Sequence, residues 1–163
     1  MKAFKLPLVL LLIVLQLSLI KHKLHFKAIK PGHFTFVTMQ SNSFQIKIKD
    51  TIPPHANIYF TNSKWNGNHF NINGSHLTWN TGTESILPGS KISFSQIEKQ
   101  PTASKGSLEG QMKLTSQDPI FAYLGHNKMP TLFLAAVGTN NKAFGTLTNT
   151  QLTLDKTVTI QMP

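Results

Sequence analysis

The chain is predicted to fold as an all-β protein, an antiparallel β-sandwich of about nine strands preceded by an N-terminal hydrophobic helix. Three observations predict it. From His33 onward, short stretches rich in Thr, Phe, Ile, Val and Tyr alternate apolar with polar positions. Clusters of Gly, Pro and Asn separate those stretches, and no window carries the period of a long amphipathic helix.

The first element is different. Met1 to Lys5 is short and basic, and Leu6 to Ile20 is an almost unbroken apolar run, the composition of an export signal. As a helix this run reaches about 22 Å at its rise of 1.5 Å per residue, short of a bilayer core about 30 Å thick. Residues 1–28 are therefore read as a signal peptide cut after Ala28, or as an uncleaved membrane anchor. The lysines after the run outnumber those before it, which favours the anchor under the positive-inside tendency. Residues 29–163 are read as one domain, since no second domain has room.

In order along that domain, strands are expected at Phe34 to Gln40, Phe44 to Asp50, Asn57 to Asn62, His76 to Thr81, Lys91 to Ile97, Ser107 to Leu114, Pro119 to Gly125, Thr131 to Val137 and Gln151 to Met162. In the second, Phe44, Ile46 and Ile48 point to one face, Gln45, Lys47 and Lys49 to the other. IFAYL and LFLAAV are apolar at nearly every position, as strands covered on both sides are. Turns are expected at Pro53-Pro54, Asn66-Gly67, Asn73-Gly74, Pro88-Gly89 and Gly138 to Asn141, and a flexible loop at Glu98 to Gly106. Asn73-Gly74 is the strongest hairpin signal: it predicts Phe70 opposite Leu77, and His69 and His76 as diagonal neighbours on the outer face.

Composition removes several classes of function. There is no cysteine, hence no disulfide, thiolate metal site or Cys nucleophile. The net charge of +10 owes six of its sixteen lysines to the leader and its flank, there is no arginine, and specific nucleic-acid recognition is not expected. The six carboxylates, Asp50, Glu84, Glu98, Glu109, Asp118 and Asp155, form no acid-base pair and no calcium loop. GxSxG, GxGxxG, P-loop and HExxH motifs are missing, and the Ser-Lys neighbours at 63–64, 90–91 and 104–105 would point to opposite faces of a strand. No catalytic residue, metal or cofactor is expected.

The residues left as candidates are Trp65, Asn66, Asn68 and His69, with His76. An aromatic among amides is the composition of a sugar-binding loop; the alternative is that Trp65 folds back as a lid on the core. His69 and His76 could touch one metal, with His55 and His126 as spare imidazoles, or simply face solvent. Asn73-Gly74-Ser75 matches a glycosylation acceptor.

The order of IPPHANIYFTNSKWNGNHFN, LTWNTGTESILPGSKISF and SQDPIFAYLGHNKMPTLFLAAV resembles a module of secreted and surface bacterial proteins, typified by "IYFTDNEWNG", "LTWT", an "L-x-x-G-T" turn, "GDQIFAYQG" and "PTFLAAI". The likeness runs from about Phe34 to the C-terminus. It implies an all-β domain of no agreed activity. Asn62 replaces the Asp of "FTD", and Gln117-Asp118-Pro119 replaces "GDQ", so a calcium site resting on those acids in relatives would be compromised here.

The expectation is thus an exported, non-catalytic binding or surface-interaction module, secreted or extracytoplasmic, with a glycan or cell-surface polymer as candidate ligand. Membrane contact is expected only through residues 1–28, if they stay attached. The rival readings are a secreted hydrolase with a dispersed active site and an anchored envelope protein whose basic domain lies against anionic lipid or polymer.

Overall fold

A computed structural model describes residues 28–71, 73–126 and 128–161. The apolar run at Leu6 to Ile20 and the helix expected of it lie outside the described residues. Within them the chain is all-β: β1 (Phe34–Gln40), β2 (Ser43–Ile48), β3 (Asn57–Thr61), β4 (His76–Asn80), β5 (Lys91–Ser95), β6 (Thr102–Ala103), β7 (Ser107–Gln111), β8 (Ile120–His126), β9 (Met129–Gly138) and β10 (Val158–Ile160), with one 3-10 turn at Asn141–Phe144. Among the described residues, no helix is long and apolar enough to cross a membrane.

The strands form two sheets, ordered β1-β2-β5-β6 and β10-β9-β8-β3-β4-β7. Alternation decides which side chains face the space between them. Phe34 and Phe36 of β1, Phe44, Ile46 and Ile48 of β2, and Ile92 and Phe94 of β5 are buried against Ile58, Phe60, Leu77, Trp79, Ile120, Ala122 and Leu134 of the larger sheet. Aromatic rings fill the centre: Phe44 stacks on Phe94 at 4.5 Å, and Phe60 lies 5.0 Å from Phe44 and 5.1 Å from Phe94. Ile29 joins this core, and Gly32 N–H donates to Leu134 O at 3.0 Å. Residues ahead of β1 are thereby tied to β9 of the opposite sheet.

The larger sheet has a second apolar side. Phe121 and Tyr123 of β8, and Phe133 and Ala136 on either side of a register shift in β9, point away from the first core into another, closed by Trp65, Phe70, Phe144, Leu152 and Val158. This explains why the sequences of β8 and β9 are apolar throughout.

Three expectations are corrected. The sheets are not wholly antiparallel: β10 pairs parallel with β9, because the chain after Gly138 crosses the outer side before rejoining that edge in the same direction. Only 158–160 of the long terminal segment is strand, and the ladder yields to a turn in which Thr153 N–H donates to Thr157 Oγ1 at 2.8 Å. The loop at Glu98 to Gly106 carries β6, registered as Ser95↔Thr102 and Phe94↔Ala103.

The Asn73-Gly74 hairpin does not form as expected. β4 pairs with β3 on one edge (Phe60↔Leu77, Ile58↔Trp79) and with β7 on the other (Trp79↔Leu108), while Phe70 bridges to Trp65. Phe70 and Leu77 lie in different cores. The physical reason is that two partners satisfy both backbone edges of β4, whereas a lone hairpin satisfies one. Gly74 serves a close approach: a Cβ there would overlap Ser63. The Asn-Gly signal realised locally is Asn66-Gly67, inside the Trp65–Phe70 turn.

Candidate functional site

The segment after β3 is built almost entirely by polar side chains bonding backbone. Asn62 Oδ1 accepts from Ser75 N–H and its Nδ2 donates to Lys113 O, both at 2.8 Å. Aspartate could not donate, so the amide is what lets this position hold both segments. Asn66 Oδ1 accepts from the N–H groups of Asn68 and His69, each at 2.9 Å, and its Nδ2 lies 2.9 Å from His69 Nε2. This is an Asx-turn, and Gly67 completes it at φ 106°.

Trp65 is pinned beneath that turn. Its N–H donates to Phe144 O, its carbonyl accepts from Thr146, and Nε1–H donates to Thr148 O at 2.9 Å. Its ring lies 5.0 Å from both Phe70 and Phe133 and is 5% exposed, so the indole is a lid on the outer core and offers no open face for stacking.

Beside the turn lies a cleft of about 310 Å³, lined by Trp65, Gly67, Asn68, the β9 residues Pro130 to Phe133, and Asn149, Thr150 and Gln151. Among the described residues, no ionisable side chain lines it. The far wall is backbone in an uncommon conformation: Asn149 and Gln151 have φ of 63° and 61° on either side of buried Thr150. Non-glycine residues in the left-handed region cost on the order of 1 kcal/mol each. Thr150 offsets this by donating from Oγ1 to Leu147 O at 2.7 Å and accepting from Leu152 N–H at 3.1 Å, while Asn149 Nδ2 donates across to Gly67 O at 2.9 Å. The two walls are thus fastened to each other.

Of the residues singled out by sequence, Trp65 and Asn68 line the cleft, Asn66 shapes its rim, and His69 is exposed on the Asn66 amide. His76 lies elsewhere, on β4, where it faces Phe70 at 6.5 Å between ring centres. The diagonal His69–His76 pairing goes with the hairpin that did not form, and among the described residues no three His, Cys, Asp or Glu side chains group as metal ligands. Thr131, Asn149 and Gln151 were not anticipated. The only signal for Asn149 and Gln151 is a tract of amides and hydroxyls from Thr146 to Thr153, and Thr131 carries none.

His76 has a different consequence. Neither ring nitrogen has a hydrogen-bond partner, and burial, reinforced by the charge of Lys128 and opposed weakly by the Gly74 backbone, holds its pKa down to about 4 from an ordinary 6.5. Above pH 6.5 the ring is neutral in folded and unfolded chains alike and the effect is absent. As pH falls below that, the unfolded chain binds the proton first, and stability declines until the folded ring titrates too. We expect a loss of about 2 kcal/mol between pH 7 and pH 4.5, after discounting for partial exposure. Urea unfolding at both pH values checks it: His76→Gln should flatten the dependence, and an equal decline in the variant would assign it to other groups. Tyr123 is also orphaned, its buried hydroxyl held well above the usual phenol range by burial and then by stacked Tyr59 at 5.5 Å.

The carboxylates stand apart from the cleft. Glu84 pairs with Lys105 at 3.4 Å, Glu98 with Lys113 at 3.8 Å, Asp50 with His33 at 3.5 Å, and Asp118 accepts from Thr115 N–H at 2.8 Å. No protein-family model, curated protein or solved structure matches the chain.

Proposed function

We propose that the protein is an exported, non-catalytic binding module whose ligand is neutral and rich in hydroxyl groups, a glycan or cell-surface polymer, held in the cleft between the Asn66 turn and β9. The observation that carries this reading is the cleft's chemistry. Side-chain amides of Asn68, Asn149 and Gln151 and the Thr131 hydroxyl lie with Trp65 and Phe133 of the outer core in the lining, with no charge among them. Amides donate and accept at once, which suits hydroxyls that do the same, and an uncharged wall does not select an anionic or cationic ligand. A hydrolytic reading lacks support at this position, because general acid-base chemistry needs a titratable group within hydrogen-bond reach. Export rests on the apolar run at Leu6 to Ile20.

Binding is to be tested by screening neutral oligosaccharides and then titrating the best by calorimetry. Each hydrogen bond contributes about 1 kcal/mol, so Asn68→Ala and Thr131→Val should each weaken binding about fivefold with little change in melting temperature. Affinity unchanged in both variants, or no binding by any neutral glycan, would sink the proposal.

A further inference from the structure

The outer face of the smaller sheet has a distribution of charge that the cleft does not explain. Alternating with the buried residues, the outward positions are Ser43, Gln45 and Lys47 on β2 and Ser93, Ser95 and Lys91 on β5, with no carboxylate among them. Lys47 and Lys91 are direct cross-strand partners, and Lys49 is the next outward residue along the chain. Like charges directly opposite one another on a sheet are destabilising. Among the described residues, the lysines in ion pairs are Lys105 and Lys113, not these three, and the neighbouring Asp50 is engaged with His33.

Two further features lie at the same end. The turn from Leu87 to Ser90 is fastened to β2 by Gly89 N–H donating to Ile48 O at 2.8 Å and Ile48 N–H to Ser90 O at 2.9 Å, and it leaves Leu87 64% exposed. The chain also enters the domain there. His33 O accepts from Lys49 N–H at 2.7 Å, so the segment leading into β1, with exposed Lys30, reaches Lys49 at His33. Residues 21–32, bearing Lys21, Lys23, Lys27 and Lys30, separate His33 from the apolar run that ends at Ile20. Fully extended, that stretch spans at most about 45 Å.

We propose that the end of the smaller sheet bearing Lys47, Lys49, Lys91 and Leu87 is a docking surface for an anionic lipid bilayer. The lysines meet the head groups, whose charge relieves the Lys47–Lys91 repulsion, and Leu87 enters the boundary of the acyl region. A basic cluster around one protruding apolar side chain is the composition of an interfacial contact, and a tether no longer than about one whole bilayer thickness keeps this end of the domain near the membrane that holds Leu6 to Ile20. This rests on the reading of residues 1–28 as a retained anchor, extends membrane contact beyond them, and is independent of the cleft, which belongs to the other sheet.

The absence of cysteine makes a selective test available on the full chain. Leu87→Cys, labelled with a polarity-sensitive dye, is reconstituted into vesicles of zwitterionic lipid alone or with about one third anionic lipid. The apolar segment holds the chain on both, so a difference reports the domain face. A blue shift and protection from iodide are expected only with anionic lipid, and are expected to weaken in high salt. Each lysine near an anionic surface contributes about 1 kcal/mol, or about fivefold, so adding Lys47→Gln, Lys49→Gln and Lys91→Gln should lower the docked-to-undocked ratio about a hundredfold without lowering the melting temperature. The same dye signal in both lipids, or its persistence in the triple variant, would overturn the proposal. Tight binding of soluble polyphosphate through these lysines with no dye response on anionic vesicles would also overturn it, assigning the face to a free polyanion.

Discussion

Phe60→Ala is expected to lower the unfolding free energy by about 4 kcal/mol. Phe60 is fully buried on β3, a strand with partners on both edges, and it contacts aromatic rings of both sheets: Phe36, Phe44 and Phe94 from the smaller, Trp79 from its own. Truncation removes the transfer free energy of the ring and leaves a cavity between rigid sheets that cannot close over it. Set against a total stability of roughly 5–15 kcal/mol for a domain, this moves the urea midpoint far toward zero. Phe60→Leu should cost about 1–2 kcal/mol, because most of the volume is kept. A midpoint that hardly moves in Phe60→Ala would mean that the two sheets do not share this interior.

Trp65→Ala is expected to cost about 3–4 kcal/mol, and its value lies in what it separates. An aromatic held out for a ligand could be removed with little effect on stability and a large effect on binding. Trp65 instead closes the outer core between Phe70 and Phe133 and anchors Thr148 through its indole N–H. Trp65→Phe keeps much of the packing and leaves the Thr148 carbonyl without its donor, for an expected loss of about 1–2 kcal/mol. Thermal and urea unfolding of both variants checks the order. Full stability in Trp65→Ala would return the indole to the role of an open platform.

The legible part of the fold was whatever follows from alternation. In β2, Phe44, Ile46 and Ile48 were assigned to the core from their period alone, and all three are buried. The continuous apolar sequences of β8 and β9 announced two covered faces, and Phe121 and Ala122 do enter different cores. Pairing was less legible. The Asn73-Gly74 signal is local, and it lost to β3, the preceding strand, and to the more distant β7, which together complete both edges of β4. The site was read in part: Trp65 and Asn68 stood out because an aromatic and amides were adjacent, but Thr131 and Asn149 reach the same cleft from β9 and from the segment following the 3-10 turn.

By itself, the sequence determined an all-β, cysteine-free chain, because side-chain period and composition are properties of neighbours along the backbone. Tertiary structure alone decided that β10 runs parallel to β9, that a second aromatic core lies outside the larger sheet, and that an uncharged cleft forms between segments some eighty residues apart, Gly67 and Asn149. Such features depend on which edges and faces remain unsatisfied once the first sheet pairs have formed, and that is settled only by the competition of all segments for the same partners.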